Sequence, residues 1–388
     1  MVGFTLSVEQ EALRSTVEQF AREVVAPVIG GYYERGEFPY DIVAKMGKLG
    51  LFGLPFPEHY GGMGGDYFAL CVALHELARV DSSVAITLEA GVALGAMPVY
   101  RFGTAEQKDR WLPELCQGER LAAFGLTEPG GGSDIPGGMR TTARLDGDEW
   151  VIDGSKAFIT NAGTAITSVV TVLARTGPAA EGATREISAI MVPSGTGGFT
   201  VGPEYSKVGW RASDTRELSF SGCRVPSGNL LGERGRGYAQ FLQTLDEGRV
   251  AIAALSAGLA EGCVDESLRY ARERTAFGHE LAHYQAIQFK IADMAARAHL
   301  ARLAWYDAAA RLVAGEPFKS QAAIAKLTCA NAAMDNARDA TQIFGGYGFM
   351  NEFPVARFYR DAKVLEIGEG TSEVQRMVIA RQLGLERT

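Results

Sequence analysis

One stretch of the chain presents a carboxylate in a setting suited to proton transfer. Glu369 lies between Gly368 and Gly370, where backbone and ligand can approach closely. Ser372 stands three residues before Gln375, the spacing of a capping box, and Val374, Met377 and Val378 follow at i, i+3, i+4. The pattern predicts a tight Gly-rich turn running into a helix with one apolar face. A base that must reach a buried substrate can be carried on such a turn. The plainer reading is a solvated turn carboxylate favouring the helix dipole, worth about 0.3–1 kcal/mol.

Four further stretches could hold a ligand. In FGLTEPGGGSD (124–134), Gly130 to Gly132 with Ser133 could form a nest of N–H groups for a phosphate. Phe124 and Leu126 there offer an apolar wall and Thr127 a hydrogen bond; a hairpin turn reads the same way. In DGSKAFITN (153–161), Phe158 and Thr160 are two apart on a strand and face one side, where they could meet a planar ring. An ordinary strand shows that alternation too. In RERTAFG (272–278), Arg274 and Phe277 follow a long helix and could engage a phosphate and a ring. An Arg at a helix C-terminus is also favourable without any ligand. In QIFGGYG (342–348), Gly345 and Gly346 read as a helix cap, or as a place where a dinucleotide nears the backbone.

HELAH (279–283) matches the HExxH pattern of zinc peptidases, which needs both histidines on one helix face. Here it follows Phe277-Gly278 and precedes a helix starting near Gln285, so a loop or first helical turn is expected. Ala286 and Phe289 stand where an extended motif would need Gly and His. No P-loop, no GxGxxG after a strand and no GxSxG occurs.

The elements that must position these residues fall into three blocks. Residues 1–120 read as helical: Ser7 and Gln10 form a capping box, Leu13, Val17, Phe20 and Val24 a stripe, and Pro27 ends or bends that helix. Apolar helical segments follow from about Asp66 to Val80 and Ser83 to Phe102, and Thr104 with Gln107 caps another. Residues 121–236 carry short β-rich runs separated by Gly, Pro, Asp and Asn, which predicts a compact antiparallel, barrel-like sheet. Residues 237–388 carry long helical segments (Tyr238 to Glu247, Arg249 to about Arg274, Gln285 to Val313, Ser320 to Phe344), which predicts a four-helix bundle. The fold class is therefore mainly α with a central β domain.

The 388 residues are 47% hydrophobic and 22% charged, ordinary for a globular protein, with a net charge of −8 that argues against a nucleic-acid partner. Five dispersed cysteines without a CxxC pair fit a reducing compartment. No signal-peptide pattern or apolar run of membrane-spanning length is evident. A cytoplasmic protein is expected, or one in an organelle matrix after loss of a transit peptide.

Taken together, TEPGGGSD (127–134), GSKAFITN (154–161), RASDTREL (211–218), RTAFG (274–278), QIFGGYGF (342–349) and EGTSEVQR (369–376) resemble the acyl-CoA dehydrogenase family over essentially the whole chain. The resemblance implies a helical–β–helical subunit, a homotetramer and non-covalent FAD. It implies that Phe124, Leu126, Thr127, Ser133, Phe158 and Thr160 contact the flavin or its ribityl-pyrophosphate chain. Arg274, Phe277, Gln342, Gly345 and Gly346 would reach the FAD of a neighbouring subunit, and Thr371 and Glu373 would also touch FAD. Ser133, Asp246, Arg249, Gly368 and Gly370 would lie at the acyl-CoA site. Glu369 would remove the α-proton of an acyl-CoA thioester, its own N–H would help hold the thioester oxygen, and reduced FAD would pass electrons to an electron-transfer flavoprotein. No metal is implied.

Two departures from the family's pattern bear on the substrate. Gly368 replaces a frequent Tyr, which leaves room beside the reacting carbons for a branched or bulky acyl group, and Phe158 replaces a frequent Trp; a short- or branched-chain acyl-CoA is the expected substrate. Some members carry the base at the position of Gly248 instead; with glycine there, Glu369 is favoured and adjacent Glu247 is a weak rival. The competing expectations are an oxidase of the same superfamily, an HExxH zinc peptidase and a non-catalytic scaffold.

Overall fold

The computed structural model describes residues 5–177 and 186–385. The N-terminal helices are α1 (Val8–Phe20), α2 (Ala26–Arg35), α3 (Tyr40–Lys48), α4 (Tyr67–Ala78), α5 (Ser82–Glu89), α6 (Met97–Phe102) and α7 (Ala105–Cys116). The capping boxes at Ser7/Gln10 and Thr104/Gln107 form in full. Pro27 does not end its helix. Pro27 follows a π-helical turn, Ala21–Val25, closed by Ala26 N–H to Ala21 O, and the wider turn lets the helical run pass a residue without an N–H and continue as α2.

α5, a π-helical segment (Ala90–Ala96) and α6 form one continuous run, Ser82–Phe102. By length and composition that run could cross a membrane, contrary to the sequence expectation. It is almost wholly buried by the rest of the fold, as a core helix is.

The middle region holds β1 (Leu121–Gly125), a single turn α8 (Ile135–Gly138), β2 (Thr142–Asp146), β3 (Glu149–Thr160), β4 (Thr167–Arg175), β5 (Ile187–Pro193), β6 (Phe199–Glu204), β7 (Thr215–Pro226) and β8 (Leu230–Leu231). They form one sheet in the order β6-β7-β3-β2-β4-β5-β8, with β1 beside β4. Most pairs are antiparallel, as expected, while β1 and β2 run parallel to β4, a local departure from the antiparallel pattern. The β2–β3 hairpin carries the chain back across the sheet before β4 begins, and that return makes parallel pairing possible. One sheet face packs its own core around Trp150, Ile152, Val170, Val172 and Phe220, while Phe124, Val169, Leu173 and Met191 join the helical core. β4 is therefore covered on both sides, which explains its unbroken apolar run.

The C-terminal region holds α9 (Gly237–Glu273), a small hairpin of β9 (Thr275–Ala276) and β10 (His279–Glu280), α10 (Gln285–Val313), α11 (Lys319–Phe344), α12 (Pro354–Leu365) and α13 (Ser372–Gln382). α9, α10 and α11 pack on one another, α12 joins against α11, and α4 lies along α9. The two segments expected on either side of Gly248 are one helix of 37 residues. An interior glycine costs about 1 kcal/mol of helix propensity, which burial of both flanks outweighs.

α13 also differs from expectation. Its cap is Thr371, whose Oγ1 accepts from Val374 N–H at 3.3 Å, and Ser372 is the first helical residue. Gly370, at φ +92°, completes the turn one residue early. The face that α13 buries is polar, Ser372 and Gln375, while Met377 is exposed.

One buried group ties the three regions together. Asp361 of α12 accepts from Tyr33 Oη at 2.6 Å, Ser82 Oγ at 2.7 Å and Trp210 N–H at 2.7 Å. Those donors come from the N-terminal helices and the loop before β7.

Candidate active site

The turn that carries Glu369 is held from three directions. Gln375 Nε2 donates to the carbonyls of Glu369 (3.4 Å) and Gly370 (2.8 Å). Lys326 of α11, fully buried in an alanine-rich helix, donates to the Gly370 carbonyl at 2.8 Å. Gly368 N–H closes on Val364 O at 2.8 Å. Glu369 itself is left-handed, φ 52°. Such a conformation is costly for a non-glycine residue and persists where the surroundings over-determine it.

The side chain so presented is buried, and neither carboxylate oxygen has a protein N–H or O–H donor. Burial pushes its pKa up to about 7; Glu89, Lys326 and Arg249 nearby oppose the rise. Burial also pulls Lys326 down to about 8. A carboxylate with a pKa near neutral, unclaimed by structural donors, is suited to take a proton from a weak carbon acid. The backbone N–H of Glu369 donates to no acceptor among the described residues, so it is available to a ligand oxygen.

Gly248 lies directly against this carboxylate. A Cβ built on it would clash with Glu369 Oε2 and meet Leu94 at 3.3 Å. A side chain at 248 and the present pose of Glu369 are thus mutually exclusive. The rival Glu247 is occupied: it is buried and paired with Arg101 at 3.2 Å. Asp246 pairs with Arg249 and lies 3.4 Å from Lys319, and Arg249 Nε has no partner. At Gly368 a Cβ would meet Val364 O at 3.5 Å and the Trp210 ring at 3.7 Å, ordinary contacts, so the space beside the base is bounded by Trp210.

The two glycine- and aromatic-containing β motifs lock to each other. Lys156 donates to Glu128 at 2.8 Å and to Leu126 O at 3.2 Å, Glu128 accepts from the N–H groups of Arg140 and Thr141, and Ala157 N–H donates to Thr127 O. Phe124 stacks on Phe241 of α9, ring centroids 3.9 Å apart. Leu126 is buried, Thr127 half-buried, and Ser133 exposed on the loop before α8. The pairing with β7 is irregular between Lys156 and Ile159, and Phe158 sits there at φ 61° with its ring 66% exposed. Phe158 and Thr160 point away from the core that Ile159 enters. An aromatic ring held outward by a strained backbone fits a site that a flat ligand covers.

Arg274, Gly345 and Gly346 line a separate cavity of about 460 Å³ with Tyr270, Phe344 and Tyr347. The Arg274 guanidinium lies 5.8 Å from the Tyr347 ring centroid and has no carboxylate partner among the described residues. Phe277, at φ 49°, is 96% exposed on the adjoining hairpin, and Gln342 is exposed at the end of α11. None of the β-region residues lines this cavity, so a single chain does not bring the two groups together. Thr371 caps α13, and Glu373 is exposed in its first turn.

Among the described residues the left-handed non-glycines are Phe158, Asn161, Trp210, Phe277 and Glu369. Each lies in, or next to, a stretch singled out by sequence. HELAH, by contrast, is the two-residue strand β10 followed by a 3-10 turn, with the two imidazoles stacked at 4.1 Å. It does not present i, i+4 ligands from a helix, and no cluster of potential metal ligands occurs among the described residues.

Sequence reasoning missed Glu89, Lys326 and the Glu128–Lys156 pair. Glu89 had a usable signal: it is the lone charge in the run SSVAITLEAGVALGAMPV (82–99), where an unpaired carboxylate is expensive.

Comparison with known proteins assigns this architecture. Models of the acyl-CoA dehydrogenase N-terminal, middle and C-terminal domains match residues 7–119, 123–223 and 235–384. The chain is 47% identical to "Probable acyl-CoA dehydrogenase YngJ" of Bacillus subtilis over 382 residues, covering 98% of this chain and all of that protein. Butyryl-CoA dehydrogenase from Megasphaera elsdenii superposes with a TM-score of 0.94 at 40% identity, covering 98% of this chain and 99% of that one. A chain solved in work on the electron transferring flavoprotein of Acidaminococcus fermentans and flavin-based electron bifurcation matches with the same TM-score, identity and coverage. Matched in all three domains and along nearly its whole length, this chain belongs to the acyl-CoA dehydrogenase family, FAD-dependent flavoproteins that oxidise the CH–CH group of their donors.

Proposed function

We propose that the chain oxidises short-chain acyl-CoA thioesters to trans-2-enoyl-CoA with Glu369 as the base. The observation that carries this reading is the buried, donor-free Glu369 carboxylate on its tethered left-handed turn. Glu369 takes the α-proton, and its own free N–H meets the thioester oxygen as negative charge develops there. FAD, when bound, supplies the acceptor for the hydride lost from Cβ. Phe124, Leu126, Thr127, Ser133, Phe158 and Thr160 would hold its ring end. Arg274, Phe277, Gln342, Gly345 and Gly346 would serve the cofactor of another copy: within one chain Arg274, Gly345 and Gly346 line a different cavity, and Phe277 and Gln342 are exposed beside it. That division supports a homotetramer, or at least an assembly that pairs the two surfaces. Thr371 and Glu373 complete the cofactor set, while Ser133, Asp246, Arg249, Gly368 and Gly370 border the acyl-CoA.

The similarity to butyryl-CoA dehydrogenase supports a short acyl chain. Gly368, which places no ring beside the reacting carbons, supports tolerance of branching. The likeness to a chain studied with an electron transferring flavoprotein supports such a protein as electron acceptor. A cytoplasmic or matrix location suits that exchange.

Anaerobic titration of the purified holoenzyme with butyryl-, isobutyryl- and octanoyl-CoA, followed by flavin bleaching, tests this reading. Butyryl- and isobutyryl-CoA are expected to bleach it readily and octanoyl-CoA poorly. Faster bleaching by octanoyl-CoA would overturn the short-chain assignment, and no bleaching by any thioester would overturn the reaction. Gly248→Ala gives an independent check. Its methyl would displace the Glu369 carboxylate, and a misplacement near 1 Å costs about 100-fold in rate. Flavin content should stay normal; an unchanged rate of flavin reduction would mean that Glu369 does not act from this pose.

A further inference from the structure

Glu89 is the last residue of α5 and lies immediately before the π-helical segment Ala90–Ala96. π-helical turns inside helices recur at functional sites because they re-aim side chains at a cost in regularity. Here the turn faces the base: Leu94, within it, lies beside Gly248 and Glu369. Glu89 is completely buried, and neither of its oxygens has a protein donor. The same holds for both oxygens of Glu369, and the two carboxyl groups are within hydrogen-bonding reach of each other. Four buried acceptor oxygens without a donor cannot all be ionised carboxylate; burying two unpaired like charges side by side is prohibitive. A proton on one group converts the contact into an O–H···O⁻ hydrogen bond, among the stronger kinds available.

The turn's backbone is fixed by Gln375, Lys326 and Val364, but nothing else grips the Glu369 side chain. We propose that Glu89 is a positioning residue that shares a single proton with Glu369, donating its O–H to the Glu369 carboxylate and holding the base in place. This rests on the reading of Glu369 as the base. After proton transfer from substrate the pair carries two protons and no charge, so the buried site is never left with two anions.

The other titratable groups facing the pair do not donate to it. Tyr67 and Cys71 of α4 lie nearby, and burial pushes both well above their ordinary range, so they add no charge, and the buried Tyr67 hydroxyl reaches neither carboxylate with a hydrogen bond. On α9, Glu247 is paired with Arg101 and Arg249 with Asp246. Lys326 of α11 is committed to the Gly370 carbonyl. Burial, then the neighbouring Glu369 charge, pushes Glu89 well above the usual carboxylate range, in the direction that favours the shared proton resting on Glu89.

Two readouts on the holoenzyme test the proposal. In difference infrared spectra at about pH 8, wild type minus Glu89→Gln should show the C=O stretch of a buried protonated carboxylic acid. Its absence would overturn the proposal. In single-turnover flavin reduction by butyryl-CoA, Glu89→Leu should move the half-maximal rate to higher pH by about one unit or more, because the base loses its donor. Glu89→Gln, whose amide N–H still donates, should keep the midpoint near that of wild type. A Glu89→Leu profile superimposing on wild type would also overturn it. If Glu89→Leu fails to fold, the infrared comparison with the isosteric Gln variant decides alone. If wild-type flavin is not bleached by any thioester, the assignment of the base fails instead, and the infrared band still reports whether the proton is shared.

Discussion

Glu369→Gln is expected to fold, bind FAD and bind butyryl-CoA, yet to reduce its flavin about 10³–10⁴-fold more slowly than wild type, the upper range for loss of a general base. The geometry leaves little to replace it. Glu247 is engaged by Arg101, and position 248 has no side chain. The fold should tolerate the change because the carboxylate makes no structural hydrogen bond to a protein N–H, while the turn is held through the main chain by Gln375 and Lys326. A rate within tenfold of wild type would exclude Glu369 as the base. The same reasoning gives the pH dependence. Glu369 must be ionised to accept the α-proton, and burial lifts its pKa to about 7. The rate of flavin reduction in wild type should therefore rise with pH and be half-maximal near 7, and the Gln variant should lose that dependence along with the rate.

Much of the fold could be read from sequence because its signals are local. Ser7/Gln10 and Thr104/Gln107 mark helix starts whose partners are three residues away, and both boxes form. The misreadings share one cause: long-range packing decided what a local pattern left open. Gly248 looked like a break between two helices, yet it is the small residue that lets α9 run past the Glu369 carboxylate. Val374, Met377 and Val378 looked like a core stripe, but the turn at Glu369 needs the polar face of α13 to hold it. Parallel pairing of β1 with β4 depends on an intervening hairpin, which no strand pattern encodes.

The site was legible in parts. Glycines and aromatics marked the turns now proposed to face ligand, because such residues leave space or a flat surface. The polar groups behind them were silent. Glu128 and Lys156 are 28 positions apart, and neither motif shows that it braces the other through a buried ion pair. The Glu89–Glu369 contact spans most of the chain, so only a charge out of place in an apolar run hinted at it.

Asp361→Ala should have the largest effect on stability. Asp361 is fully buried, and burial with the nearby Asp81 charge raises its pKa to about 6. It nevertheless accepts three hydrogen bonds, from Tyr33, Ser82 and Trp210 N–H, and so joins the N-terminal helices, the sheet region and α12. Removing it strands three donors, two of them on the fully buried Tyr33 and Ser82, each worth about 1–3 kcal/mol, and opens a cavity where the carboxyl stood. Relief of the carboxylate's own desolvation returns part of that, so a net loss of about 3–5 kcal/mol is expected. Asp361→Asn keeps one acceptor oxygen for Tyr33 and Trp210, which share Oδ1, and should lose less than half as much. The loss should also reach the site. Trp210, held at φ 51° by its N–H bond to Asp361 and by its indole bond to Ser82, forms the wall beside Gly368. Freed from Asp361, Trp210 keeps only its indole bond to Ser82, and its left-handed backbone loses the N–H bond that fixes it. The Ala variant should therefore unfold at lower denaturant and also discriminate less sharply between butyryl- and octanoyl-CoA in flavin bleaching. A variant with an unchanged unfolding midpoint would show that the three regions are joined by their apolar contacts alone.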